Sequence, residues 1–281
     1  MKTKILSAVL TIAAIIPLRM SATLRSQETE TLTIMSFNIR FGLAEDGKNS
    51  WEHRRTATIS MIEDLAPDVI GMQEAFSFQI NYISENFPDY GWVGKSRLDR
   101  KDAEHPVVFY NKRKIKLIDW GNFWLSDTPQ HPSLGWDAAF ERNATWLLLK
   151  DRKSGGKFFL VNTHLDHVGK TARQQGLEML LATIGKMNTE DLPVVLTGDL
   201  NAEDCDPAIG VLCGKMLDAR KTAKDSDDMG TYNGWGNSNT SIDYIWYSGF
   251  RRCIAYETVQ KEYGNIEYIS DHYPIKAVLE F

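Results

Sequence analysis

The chain has 281 residues, 43% of them hydrophobic and 25% charged, with a formal net charge of −5. That composition is ordinary for a folded globular protein and excludes low-complexity, collagen-like and disordered classes. The acidic balance also argues against a long polyanion such as duplex DNA as the first substrate, because nucleic-acid binders draw most of their affinity from a basic footprint.

The first residues, MKTKILSAVLTIAAIIPLRMSA, carry Lys2 and Lys4, an apolar run from Ile5 to Leu18, and then small residues. This is the three-part layout of a secretory signal. The run is short for a membrane span and polar TLRSQETE follows it, so no stable span is expected; an uncleaved anchor is the alternative. Cleavage near Ala22 would give an exported, periplasmic or secreted chain of residues 23–281. It would remove Lys2, Lys4 and Arg19 and no acid, taking the net charge from −5 to −8. No cysteine follows the apolar run, which argues against a lipid anchor. The remainder holds no linker, low-complexity tract or fixed-period repeat, so one domain, and a monomer, are expected.

In chain order, TLTIMSFNI (31–39) reads as a buried strand ending at Asn38. Residues 51–66 read as a helix, with Ile59, Ile62 and Leu65 at helical spacing before Pro67. DVIGMQE is a short strand ending at Glu74, and Phe76, Ile80, Ile83 and Phe87 mark a second helical stripe. PVVFYN and IKLIDWGNFWLS read as strands. ATWLLLKDRKSGGKFFLVNTHLDH reads as a hairpin turning at Gly155–Gly156, whose second strand ends at His164. Leu177, Leu180, Leu181 and Ile184 mark a helix; LPVVLTGDLN returns to strand, and SIDYIWY and PIKAVLEF are two more. So many strands with so few helices fit two packed sheets with helices outside better than a βαβ repeat.

Polar residues recur at the strand boundaries: Asn38, Glu74, His164, Asp199 with Asn201, Asp243, and Asp271 with His272. One such group is a turn or a cap. Six boundaries carrying proton-transfer or metal-type residues suggest a site on a rigid scaffold. Side chains two apart share a strand face, so Asp199 and Asn201 are expected to point the same way; a simple turn is the alternative. Glu74, Asp271 and Asn38 are hard oxygen donors suited to Mg²⁺ or Mn²⁺. The His164-x-x-His167 spacing hints at zinc but lacks a third ligand nearby. Cys205, Cys213 and Cys253 are odd in number and form no Cys-x-x-Cys pair, which excludes a disulfide framework, leaves one bridge plus a free thiol open, and makes packing their expected use.

MSFNIR, DVIGMQE, VNTHLDH, LTGDLN, SIDYIW and SDHYP, in that order, closely resemble the endonuclease/exonuclease/phosphatase superfamily over roughly residues 31–281. The resemblance implies a four-layer α+β sandwich: two mixed, mostly antiparallel sheets face to face, flanking helices, and a site at one rim. It implies divalent-metal-dependent hydrolysis of a phosphate ester, with Glu74 as the main metal carboxylate, Asn38 beside it and Asp271 near a second or alternative position. Asp199 would orient or deprotonate water, and Asn201 would hold that water or a phosphate oxygen. His272, fixed by Asp243, would contact the scissile phosphate, and His164 would bind a non-bridging oxygen. Where abasic-site nucleases carry an acid two residues after the Asn, this chain has Arg40, which would instead pin a substrate phosphate. Arg142 would bind phosphate or pair with an acid, and Asp166 and His167 face substrate or solvent. Trp51, Trp124 and Trp136 stack a substrate ring or pack in the core. The stretch VGKSRLDRKDAEHPVVFY resembles deadenylase-like and exported bacterial members, but gives no role to Arg97, Glu104 or His105.

The substrate expected is a small phosphorylated metabolite, a lipid headgroup or a short oligonucleotide. A secreted endonuclease or exonuclease on DNA or RNA is the alternative, with an inactive binding module on the same fold as the third reading.

Overall fold

The computed structural model describes residues 30–281; the leader read in residues 1–22 lies outside the described residues. The elements are β1 (Thr31–Asn38), α1 (Trp51–Leu65), β2 (Val69–Ala75), α2 (Ser77–Asn86), β3 (Tyr90–Val93), β4 (His105–Asn111), β5 (Ile115–Trp124), β6 (Asn143–Asp151), β7 (Lys157–His164), α3 (Lys170–Met187) and β8 (Val194–Asp199). They continue with two single turns, α4 (Pro207–Gly210) and α5 (Ala219–Thr222), either side of β9 (Leu217–Asp218), and then β10 (Asp243–Ser248), β11 (Arg252–Thr258) and β12 (Ile275–Glu280).

Two six-stranded mixed sheets result, in the orders β11-β12-β1-β2-β4-β3 and β5-β6-β7-β8-β10-β9. Each has one parallel pair at its centre, β1 with β2 and β7 with β8; every other pairing is antiparallel. The parallel strands read as unbroken apolar runs because both their faces are covered. Leu32, Ile34, Val69 and Val108 of one sheet meet Leu147, Leu160, Val195 and Ile245 of the other in the central core. Met61 and Ile62 of α1 and Ile80 and Ile83 of α2 cover the first sheet's outer face, over Met35, Phe37, Ile70 and Met72. Leu177, Leu180 and Ile184 of α3 cover the second, over Val161 and Leu196. Helix, sheet, sheet, helix is the four-layer arrangement expected.

The topology explains why the polar boundaries converge. Two parallel pairs bring Asn38, Glu74, His164 and Asp199 to strand ends that point the same way. β10 runs antiparallel to β8, so its first residue, Asp243, lies opposite Asp199. β12 runs antiparallel to β1 with Ile275 opposite Ser36, so Asp271 and His272, just before it, reach the same rim.

One layer below that rim the two sheets are joined by polar groups rather than methyls. Asn162 Nδ2 donates to Met72 O (2.7 Å) and Val107 O (3.1 Å) across the interface. Its Oδ1 accepts from Gln73 Nε2 (2.7 Å) and from Thr197 Oγ1 (3.1 Å), and Gln73 Nε2 also donates to Ser36 Oγ. All four side chains are fully buried or nearly so. Gly71 is needed here, because a methyl at its Cα would run into Thr197 Oγ1 and Asn162 Oδ1.

Three strands were not read from the sequence. β3 and β9 are short, and β11 is an edge strand with a bulge between Cys253 and Ala255. Trp51 and Trp124 are core residues, while Trp136 is exposed. Cys253 packs in the interior, but Cys205 and Cys213 are exposed free thiols, so packing accounts for only one of the three.

Asn162→Ala would leave two carbonyls, the Gln73 amide and the Thr197 hydroxyl short of partners in a dry interface. It should destabilise the fold by at least about 2 kcal/mol, read as a lower urea midpoint with an unchanged slope. A change within about 0.5 kcal/mol, the size of an ordinary surface substitution, would show that the bridge does not hold the sheets.

Candidate active site

The rim is a cleft of about 620 Å³ lined by Arg40, Glu74, His164, Asp199, Asn201, Asp271 and His272, with Arg97, Glu104 and Arg142 along one wall. Three of the lining residues, Arg40 (φ 66°), Glu74 (φ 62°) and Asn201 (φ 47°), have left-handed backbone, which costs a non-glycine residue about 1–3 kcal/mol. Each strained residue re-aims a side chain. Glu74 sits in a bulge, where the register of β2 against β4 shifts between Met72 and Ala75, and its carboxylate accepts from Asn38 Nδ2 (3.0 Å) and from the Phe41 N–H.

The expectation that Asp199 and Asn201 share a strand face is corrected. β8 stops at Asp199, Leu200 N–H donates to Ile242 O, and the chain then turns through Asn201. Asp199 Oδ1 accepts from the Asn201 N–H (2.9 Å), while Asn201 Nδ2 donates to Leu165 O (3.0 Å) and lies 3.0 Å from His164 Nε2. The pair is brought together by a turn, not by pleat alternation.

Asn38 joins Glu74 to Asp199. Its Oδ1 accepts from the Arg40 N–H (2.9 Å), which orients the amide, and its Nδ2 donates to both Glu74 Oε1 and Asp199 Oδ2 (2.9 Å). Asn38 therefore bridges the two carboxylates.

On the other side, His272 Nδ1 lies 2.8 Å from Asp243 Oδ2, and that oxygen also accepts from Thr231 Oγ1 (2.7 Å). His272 Nε2 faces Asp199 Oδ2 at 3.7 Å, and the Tyr232 ring packs against the imidazole with centroids 4.9 Å apart. Behind this centre Arg54 is buried, donating through Nη1 to Ile39 O (2.6 Å) and Ile269 O (3.1 Å), so it ties the exit of β1 to the segment carrying Asp271.

The sequence profile of the Endonuclease/Exonuclease/phosphatase family matches residues 35–272. The chain belongs to that family. Its fold is similar to that of a family protein from Bacteroides thetaiotaomicron at a TM-score of 0.85 and 29% identity, covering 90% of this chain and 99% of the other. It is equally similar, at a TM-score of 0.85 and 30% identity, to a mannosyl-6-phosphatase from Bacteroides thetaiotaomicron, over 89% of this chain and all of that one. Nocturnin of Drosophila melanogaster is 23% identical over 280 residues, covering 82% of this chain and 42% of nocturnin. The chain thus spans less than half of that curated relative. Family members hydrolyse phosphate esters.

The sequence-predicted residues line the cleft except for three: Asn38 and Asp243 stand directly behind it, bonded to Asp199 and His272, and Asp166 is set apart. Asp166 does not line it: the side chain is fully buried and accepts from the N–H groups of Ala139, Phe140, Val168 and Gly169 and from Arg142 Nε. Burial alone would raise its pKa, but those donors hold it down at about 2. A carboxylate so saturated anchors loop and arginine rather than touching substrate. Arg40 does line the cleft, with Nη1 3.2 Å from Asp271 Oδ2 and its Nε on Asp46. Arg97, Glu104 and Phe140 line it too and were missed. Arg97 and Glu104 bracket a run of mixed charges, RLDRKDAE, in which no single residue stands out.

The electrostatics divide the site. Burial, and then the Asp243 charge, push the Asp199 carboxyl up. Burial raises Asp271, with Glu74 adding to it. His164 is held neutral, well below its ordinary range, by burial and then by Arg142. For His272, burial works against the charge, but Asp243 and Asp199 outweigh it and raise the imidazole to about 10.

Ligand atoms of Glu74, His164 and Asp199 lie within 4.8 Å of one another. Buried oxygens with raised carboxyl pKa values are a negative site short of positive charge, which fits a hard divalent cation. Glu74 would be its principal ligand, with Asp271 adjoining once Arg40 yields. No cysteine lines the cleft, so the donor set does not suit thiolate-bound zinc.

Because folding raises the His272 pKa, the stability that its charge contributes is complete below the ordinary value of 6.5 and fades as pH rises through about 10. Asp243→Asn should move the His272 titration, followed by NMR in metal-free protein, clearly down toward 6.5. An imidazole still titrating near 10 would show that Asp243 does not set its charge.

Proposed function

We propose that this chain hydrolyses phosphate esters with the help of a divalent cation, Mg²⁺ or Mn²⁺, and acts on a small phosphorylated substrate, with a sugar phosphate as the first class to try. The observation that carries the proposal is the His272–Asp243 pair facing Asp199 across a cleft that holds carboxylates at its floor and arginines on its walls. The structural likeness to a sugar phosphatase and the acidic chain both favour a small substrate over a long nucleic acid.

Each residue has a role its surroundings suit. Asp199, raised by burial, accepts the proton of the attacking water; a base works best with its pKa brought toward the operating pH. Its two oxygens are oriented by Asn201 N–H and Asn38 Nδ2, so the base cannot swing away. His272 presents a positive Nε2 to the phosphate, and Asp243, itself fixed by Thr231, keeps it charged and in place. Asn201 Nδ2 and neutral His164 complete the polar lining beside Asp199. Arg40 meets anionic charge at the rim. The cation, held by Glu74, would neutralise charge that builds on the phosphate. Export of residues 23–281 as a monomer belongs to the same proposal, on sequence grounds.

The purified protein should hydrolyse p-nitrophenyl phosphate, bis-p-nitrophenyl phosphate or a hexose phosphate with Mg²⁺ or Mn²⁺, and lose that activity in EDTA. Asp199→Ala and His272→Ala should each lower the rate at least about a hundredfold without changing the melting temperature by more than a few degrees. Near-normal rates in both variants would mean the chemistry lies elsewhere. Salt-sensitive cleavage of RNA or single-stranded DNA, with the small esters untouched, would put the nuclease reading in its place.

A further inference from the structure

Beside Glu74 and His164 the cleft opens into a small recess bordered by Arg97, Glu104 and Arg142. The roles assigned above leave these three side chains unused. Arg142 is hydrogen-bonded along one edge, and Arg97 is held by a long ion pair, its Nε buried without a hydrogen-bond partner. Arg97 Nε lies 3.4 Å from Glu104 Oε2, and Arg142 Nε lies 3.4 Å from Asp166 Oδ2. Arg97 lays its guanidinium over the Phe140 ring, Cζ to centroid 4.6 Å, and His167 stacks on that ring at 5.6 Å and 20°. Arg142 Nη2 reaches His167 Nδ1 at 3.4 Å. The Phe140 backbone is fixed in turn by Asp166.

The terminal nitrogens of Arg97 and Nη1 of Arg142 make no hydrogen bond to the protein among the described residues. Yet the two side chains are only 17% and 8% exposed. The unmet terminal nitrogens border the cleft and stay reachable from it, while Arg97 Nε is buried without a hydrogen-bond partner, so both guanidinium groups hold open donors toward an anion entering the cleft. A purely structural pair would be expected to close into short, two-pronged contact. Here each Nε contact is single and long, and the free ends are left at the cleft wall. Planar forks of this kind suit the terminal oxygens of a phosphate.

The count of oxygens then selects a substrate class. A phosphomonoester near neutral pH carries close to two negative charges and three terminal oxygens, whereas a diester has one charge and two such oxygens. In the hydrolytic reading His272 and the cation each meet one terminal oxygen, and Asn201 lies beside Asp199 on the side of the attacking water. We propose that Arg97 and Arg142, set in place by Glu104, Asp166 and Phe140, receive the third terminal oxygen of a phosphomonoester and make this chain a monoesterase in preference to a diesterase. The inference rests on the phosphohydrolase reading above and names its substrate class. A diester would have to put its second ester chain into the recess, against Glu104 and the two guanidinium groups.

The experiment compares kcat/KM for p-nitrophenyl phosphate and bis-p-nitrophenyl phosphate in Mn²⁺. The wild type should favour the monoester, and Arg97→Gln should lower the monoester-to-diester ratio at least tenfold. Arg97→Lys should recover part of the ratio, because it restores the charge without the fork. Phe140→Ala should shift it the same way as Arg97→Gln but less. Arg142→Gln is a second probe where melting curves match the wild type; Arg97, less buried, decides the matter if Arg142→Gln fails to fold. A wild type that prefers the diester, or an Arg97→Gln protein with the ratio unchanged, would overturn the subsite while leaving the hydrolase reading intact. Hydrolysis of neither ester would sink the hydrolase reading and the subsite with it.

Discussion

The molecule depends on a polar seam between two otherwise apolar sheets. Asn162 reaches from β7 to the backbone of β2 and β4 and to Gln73, while Thr197 of β8 supports it from its own sheet. An apolar interface tolerates sliding, because methyl groups have no direction. A buried amide with fixed partners does not, since displacement leaves donors and acceptors unmatched at about 1–3 kcal/mol each. The seam lies one strand step below the cleft: Ser36 precedes Asn38 by two residues, Asn162 precedes His164 by two, and Thr197 precedes Asp199 by two. Side chains two apart share a face, so fixing the seam fixes the site above it.

That rigidity lets the cleft carry strain and charge together. Arg40, Glu74 and Asn201 hold unfavourable backbone, and the buried acids Asp199, Asp243 and Asp271 crowd one rim. The charges are graded rather than simply paired. Asp166 is saturated with donors and stays ionised, His272 is kept positive by two carboxylates, His164 is kept neutral, and Asp199 is lifted toward the range of a working base. Three titratable groups of the cleft and one buried behind its wall are thus pushed in different directions by surroundings that the fold determines. Such divergence marks functional sites more than structural ion-pair networks.

Much of this was legible in the chain. The continuous apolar runs ending in Asn38, Glu74, His164 and Asp199 marked four strands, which the structure pairs in parallel at the sheet centres, and Gly155–Gly156 marked the hairpin. Six ordered motifs carried the family. What failed did so for physical reasons. β11 is an edge strand whose bulge breaks its alternation. Asp199 and Asn201 were placed on one strand face, whereas a left-handed turn joins them, and no pattern of hydrophobicity reports a positive φ at an asparagine. Asn38 was expected beside the metal carboxylate, but only the fold shows its Nδ2 joining Glu74 to Asp199. Asp166 resembled a cleft acid until its backbone donors were visible. Arg97 and Glu104 were hidden in a loop of many charges, where only the third dimension shows which two meet.

The claim at the centre is that this rim is a divalent-metal phosphohydrolase centre built around Glu74. Anomalous diffraction from crystals of the protein soaked in Mn²⁺ tests it most directly. A single strong peak in contact with the Glu74 carboxylate, inside the cleft bounded by Asp199 and Asp271, is the predicted result. A cleft without a peak at Mn²⁺ concentrations that support turnover, or a peak remote from Glu74, would contradict it.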